Sequence, residues 1–108
     1  MNVGDAIKLG TIGGARLLNR TDKLGSIELG KAADFAIYDL NTLEHAGAYA
    51  QDPLGALLLC NANKADTVIV NGKVVVSDGN PVNVDTEKIT HRLNEIVRSK
   101  FLPVPEVK

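Results

Sequence analysis

The tightest constraint on what this chain can fold into is a pair of β-branched runs, Asp66–Val70 and Lys73–Ser77, separated only by Asn71-Gly72. Both intervening residues tolerate positive φ, so the spacing predicts a two-residue hairpin with antiparallel arms. Asp78-Gly79-Asn80-Pro81 is expected to end the second arm. Residues 34–40 carry another strand signal, with Phe35 and Ile37 on one side and Asp34, Ala36 and Tyr38 on the other. That alternation is the mark of a half-buried strand.

Helical patterns bracket these strands. Ala6, Ile7, Ile12, Ala15, Leu17 and Leu18 predict a helix over residues 3–18, with Asp5 near its positive N-terminal end. Gly10, Gly13 and Gly14 weaken that helix by about 1 kcal/mol each relative to Ala, which implies that a neighbouring element approaches closely there. Their spacing is not that of a G-x-G-x-x-G phosphate loop, and no strand precedes them. Residues 41–51 are polar and show no clear period. Asp52-Pro53 reads as a helix start, with Asp52 as cap and Pro53 in the first turn. Leu54, Leu57, Leu58 and Cys60 would form the buried face of that short helix, near 53–60. Asp85-Thr86-Glu87-Lys88 opens a last helix, residues 85–102, with an apolar stripe of Ile89, Leu93, Ile96, Val97 and Phe101. Pro103-x-Pro105 is expected to stop it. The fold class expected is α+β: a small, mostly antiparallel sheet flanked by N- and C-terminal helices. The 108 residues suit one domain, residues 1–108, with its strands between 24 and 80.

Composition removes several function classes. Hydrophobic content of 44% fits a folded chain, and a net charge of −1 without a basic patch argues against nucleic acid or an anionic membrane as partner. Aromatic content of 4%, with no Trp, leaves no stacking platform for single-stranded nucleic acid. The longest apolar runs, near Ala56–Cys60 and Val74–Val76, are too short to span a bilayer. Residues 1–5 lack the charged start and apolar core of a signal peptide. One cysteine, Cys60, cannot make an internal disulfide. Together these lead us to expect a cytoplasmic protein.

Four segments carry a family resemblance. Residues 24–39, Leu-Gly-Ser-Ile-Glu-Leu-Gly-Lys-Ala-Ala-Asp-Phe-Ala-Ile-Tyr-Asp, resemble the G-x-l-x-x-G-K-x-A-D-l-v-l-x-D passage that follows the metal-binding barrel in the amidohydrolase superfamily. Thr11–Leu18 looks like the last barrel helix of those enzymes, which would make residues 1–20 a barrel-type helix. Asp52–Cys60 is similar to the H-D-P-x-A-A-L-V-L-C segment of the chlorohydrolase and 8-oxoguanine deaminase branch, with Gln51 where that pattern has His. Ala65–Gly79 resembles the closing A-D-x-V-x-V-x-G-x-x-V-x-x-D-G hairpin. Members of this family hydrolyse C–N or C–Cl bonds with a metal-activated hydroxide held in a (β/α)8 barrel by a His-x-His pair, two further histidines and an aspartate. None of those ligands maps onto this sequence. The resemblance therefore implies no catalytic, cofactor-binding or metal residue here, and zinc or iron only in the barrel of a full-length relative.

The individual polar residues fit that expectation. His45 and His91 are the only histidines; His45 is expected to be solvent-exposed in the polar loop, and His91 at the surface or boundary of the last helix. Cys60 closes an apolar helix with no neighbouring cation in sequence, which suits a core residue better than a nucleophile. Asp34 and Asp66 each open a strand after Ala, where their carboxylates would bind backbone N–H groups rather than act as an acid–base pair. Lys31, in a turn after Gly30, is expected to be solvated. Two functional readings follow. In one, the chain is the C-terminal structural part of a metal-dependent amidohydrolase of the purine or triazine deaminase or chlorohydrolase type. In the other, it is a non-catalytic module that self-associates, by exchange of its first helix or by edge pairing, or binds a protein partner.

Overall fold

The computed structural model describes residues 1–60 and 64–101. Its N-terminus is set by a reciprocal cap. Asn2 Oδ1 accepts from the Asp5 amide at 2.9 Å, and the Asn2 amide donates to Asp5 Oδ2 at 2.9 Å. Helix α1, Val3–Lys8, runs on through a π-turn at Leu9–Gly13 into α2, Gly14–Leu17. The single helix expected over 3–18 is thus present but carries an extra residue in its middle turns. Asn19, in the left-handed region at φ 54°, ends it.

The close approach expected at the helical glycines falls elsewhere. A Cβ on Gly10 would meet nothing within 4 Å, and one on Gly13 or Gly14 would meet only its own helix. It is Gly25, at φ +92°, that lies against the helix: a Cβ there would sit 2.8 Å from Ala15 Cβ and 2.9 Å from Ile12 Cα. The turn after the helix therefore docks on the stretch where the π-turn widens the backbone.

Four strands make one antiparallel sheet in the order β1-β2-β3-β4. Strand β1, Phe35–Ile37, pairs with β2, Thr67–Val70, placing Phe35 opposite Ile69 and Ile37 opposite Thr67. β1 is shorter than the expected 34–40. Asp39 Oδ1 accepts from the Asn41 amide at 2.8 Å, an Asx turn that bends the chain off the sheet. Strand β3, Lys73–Ser77, pairs with β2 across Asn71 at φ 49° and Gly72 at φ 79°, the expected hairpin, with a bulge between Val68 and Ile69. Asp78-Gly79 does more than end the strand. At φ 50° and 72° it makes a second two-residue turn into β4, Asn80–Pro81, which pairs back on Ser77 and Val76.

The polar stretch 41–51 contains a 3₁₀ turn at Leu43–His45 and a single helical turn, α3, Ala48–Gln51. Asp52 caps α4, Pro53–Leu59, by accepting from the Gly55 amide at 3.0 Å. The inward face of α4 differs from the one expected. Gly55 and Ala56 are buried, Leu57 and Cys60 half-buried, and Leu54 and Leu58 exposed. α1 packs against α4, and a Cβ at Gly55 would overlap the Asp52 carboxylate that caps the helix, so the glycine there serves the cap. Helix α5, Thr86–Phe101, is capped by Asp85, whose Oδ1 accepts from the Lys88 amide at 2.9 Å. Among the described residues it packs substantially on none of the other elements. Pro103 and Pro105 lie outside the described residues.

Among the described residues only Ala15 (4% exposed) and Ala56 (2%) are fully buried apolar side chains. The radius of gyration is 19.3 Å, against about 13 Å for a compact domain of 100 residues. Regular helices and strands are thus present, but among the described residues most large apolar side chains are exposed.

Candidate functional site

An open apolar groove of ≈ 580 Å³ lies between the first helix and the segment leading into β1. Gly10, Gly14 and Leu18 form one wall; Ile27, Phe35 and Ala36 contribute to the other. Asp34 and Tyr38 also line it. Asp34 is not a spare carboxylate, because its Oδ1 accepts the Asn71 amide proton at 2.7 Å. The groove thus offers apolar contact and no nucleophile–base pair.

The floor of the turn above it is held by a small polar cluster. Lys31 Nζ reaches Glu28 Oε2 at 2.8 Å and Ser26 Oγ at 2.6 Å, while Ser26 Oγ donates to Glu28. The Lys31 side chain is only 13% exposed, so the expectation that it is solvated fails; its stem lies along the turn and only its ammonium is spoken for by the cluster. The hydrogen bonds from Lys31 and then Ser26, with the Lys31 charge, hold the Glu28 carboxyl below its ordinary value.

His45 is the main departure from the sequence reading. Expected in solvent, it is 5% exposed. Its Nδ1 lies 2.8 Å from Thr42 Oγ1, and its Nε2 is buried with no hydrogen-bond partner among the described residues. The 3₁₀ turn at Leu43–His45 swings the ring inward, a local geometry that the aperiodic sequence gave no sign of. Glu44, beside it, is held below its ordinary carboxyl value by its own amide and by the Thr42 hydroxyl. His91 lies where expected, on the open surface of α5, with Nδ1 3.8 Å from Glu95 Oε1. Asp66 accepts from the Thr67 hydroxyl at 2.9 Å, rather than from a backbone amide as expected. Cys60 is half-buried at the end of α4.

These residues do not fit a catalytic metal. Among the described residues no three His, Cys, Asp or Glu side chains converge. His45 is enclosed without a second ligand beside it, and His91 stands on an exposed helix. No helix among the described residues is long and apolar enough to cross a membrane.

An α+β unit of this kind, regular in its hydrogen bonding but with few buried apolar side chains among the described residues, leaves surfaces that further layers could cover. The amidohydrolase family pattern matches residues 1–75, and the chain belongs to that family. It is 42% identical over 87 residues to the 8-oxoguanine deaminase of Pseudomonas aeruginosa, covering 81% of this chain and 19% of that protein. It is 33% identical over 91 residues to a 5-methylthioadenosine/S-adenosylhomocysteine deaminase of Thermoanaerobacter pseudethanolicus, covering 84% of the chain and 21% of the relative. A solved triazine hydrolase of Arthrobacter aurescens superposes with a TM-score of 0.80 at 32% identity, over 90% of this chain and 21% of that one. The chain therefore spans about a fifth of the length of the relatives it matches.

Proposed function

We propose that this chain is the C-terminal structural portion of a metal-dependent amidohydrolase acting on non-peptide C–N bonds, of the purine or triazine deaminase or chlorohydrolase type. In this reading its first helix completes the barrel, its sheet supplies part of the sandwich beside it, and the metal chemistry belongs to the barrel. The observation that carries the reading is the mismatch between well-formed helices and strands and a core that, among the described residues, holds two fully buried apolar side chains, Ala15 and Ala56. Such surfaces are stable when another layer covers them. The relatives' names, deaminases and triazine hydrolases, supply the substrate class.

The test is complementation. The 8-oxoguanine deaminase relative, shortened by the fifth that this chain matches, is co-expressed with the chain, and ammonia release from 8-oxoguanine is followed. Activity from the pair and none from either part is the expected result. Ammonia release by the chain alone, co-purifying with stoichiometric metal, would overturn the reading.

A second reading, a cytoplasmic module that acts by self-association, draws on the unpaired outer edge of β1 and the open groove beside it. A stable monomer by light scattering at high concentration would sink it.

A further inference from the structure

We propose that Asn71 is a site of covalent self-modification, in which the Gly72 backbone nitrogen displaces ammonia from the Asn71 side chain at a rate set by Asp34 and Ala33. Of the asparagines in the chain, Asn71 alone precedes a glycine. At every other one the next residue carries a side chain that crowds its nitrogen, and at Asn80 it is Pro81, which has no N–H to give up. Gly72 has no Cβ to hinder the attack, and both turn residues are exposed to water. The companion turn, Asp78-Gly79, carries a carboxyl group in place of the amide and so has no ammonia to lose.

The reaction balances with water alone. The Gly72 nitrogen gives its proton to hydroxide and bonds to Asn71 Cγ; the Cγ–Nδ2 bond breaks, and ammonia leaves with a proton drawn from water. Water then opens the cyclic imide. Entry at Cγ leaves an aspartate at position 71. Entry at the backbone carbonyl leaves an isoaspartate, with the main chain routed through Cγ and longer by the Cβ atom.

The fold restrains the first step. A nitrogen whose proton is donated to a carbonyl surrenders it only when that bond opens, the same opening that amide exchange reads. The Gly72 N–H donates to the Ala33 carbonyl at 3.0 Å, and the Asn71 N–H to Asp34 Oδ1 at 2.7 Å. Val70 and Lys73 pair across the turn, which holds Asn71 at its φ of 49° while the hairpin is closed. Asp34, 37 residues away, thus governs the chemistry of the turn. Once an isoaspartate forms, the two amides no longer fall opposite Asp34 and Ala33, and β1 loses that hold on the hairpin.

The full chain is held in warm, mildly alkaline buffer and digested with trypsin, and its peptides are resolved by liquid chromatography and mass spectrometry. The amide-to-acid mass gain is expected in the peptide of residues 65–73, split into aspartate and isoaspartate forms, ahead of every other asparagine peptide. A folded Asp34→Ala chain, checked by circular dichroism, should convert about fivefold faster, the hold of one hydrogen bond on the opening. The unaltered chain in guanidinium chloride should convert faster still. Should Asp34→Ala unfold the sheet, the unaltered chain supplies the test: over sub-denaturing guanidinium its conversion should quicken in step with exchange of the Gly72 amide proton. No conversion at Asn71, equal rates in the folded and denatured chain, a folded Asp34→Ala chain no faster than the original, or conversion that does not follow Gly72 exchange would overturn the proposal.

Discussion

Asp34 and Asn71, 37 residues apart, meet at the tip of the hairpin, where the Asp34 carboxylate accepts the Asn71 backbone N–H at 2.7 Å. The next amide, that of Gly72, donates to the Ala33 carbonyl at 3.0 Å. Two consecutive amides of the type I′ turn are thus tied to the two residues that lead into β1. The Ala-Asp sequence before β1 and the Asn-Gly turn between β2 and β3 form one unit, which fixes the register of Phe35 against Ile69.

Asp34→Ala should remove the tie and lower stability by about 1 kcal/mol, the net worth of one such hydrogen bond. Asp34→Asn keeps an acceptor oxygen and should restore about half. Urea midpoints at constant m-value measure both, and amide exchange at Asn71 should quicken in the alanine variant alone. An unchanged midpoint and unchanged exchange would show that the bond contributes nothing to register.

Gly25 and Gly10 should respond in opposite directions to alanine. At Gly25 the backbone is left-handed and the new Cβ would overlap Ala15 and Ile12, so a loss of about 2–4 kcal/mol is expected. At Gly10 the Cβ has open space, and a gain of about 0.5–1 kcal/mol is expected in the isolated chain. Thermal unfolding distinguishes them. If the groove lined by Gly10 is covered in an assembled enzyme, the same Gly10→Ala change should weaken complementation while stabilising the chain alone.

Much of this fold was legible in the sequence because turns and caps are local. Asn71-Gly72, the Asp52-Pro53 cap and the helix start at Asp85-Thr86 each act within four residues, and each is found where the pattern places it. The failures are tertiary. Leucine periodicity points to Leu54 and Leu58 as the inward face of α4, but the buried residues are Ala56 and Gly55, whose lack of a side chain makes room for the Asp52 cap. The close contact on the first helix was assigned to its own glycines, yet it belongs to Gly25 from the following turn. Burial of His45 depends on a 3₁₀ turn that has no apolar period to announce it. The short strand β4 had a signal, Asp78-Gly79, of the same kind as the first turn, and its two-residue length hid it.

Acid should act on the turn at residues 26–31. The Glu28 carboxyl lies below its ordinary value of 4.5, chiefly through the hydrogen bond from Lys31 and then that from Ser26. A depressed carboxyl contributes stability fully above its unfolded value, and loses it as pH falls through the lower, folded value. Carboxyl NMR titration should therefore place the Glu28 midpoint below 4.5. Lys31→Met should raise it more than Ser26→Ala does. A midpoint at the ordinary value in the unaltered chain would show that the cluster does not persist in solution.

The tautomer of His45 follows from the burial of its second nitrogen. Nδ1 lies 2.8 Å from Thr42 Oγ1, a hydroxyl that can donate or accept, whereas Nε2 is buried with no partner among the described residues. A buried N–H without an acceptor is rarer than a buried acceptor without a donor, so the imidazole proton belongs on Nδ1, donated to the hydroxyl. Long-range ¹H–¹⁵N correlation spectra should show the Nδ1–H form. Thr42→Val removes the acceptor while keeping the shape, and should release the ring to a mixture of tautomers. A pure Nε2–H spectrum in the unaltered chain would mean that the hydroxyl donates to the ring and that Nε2 finds an acceptor in solution.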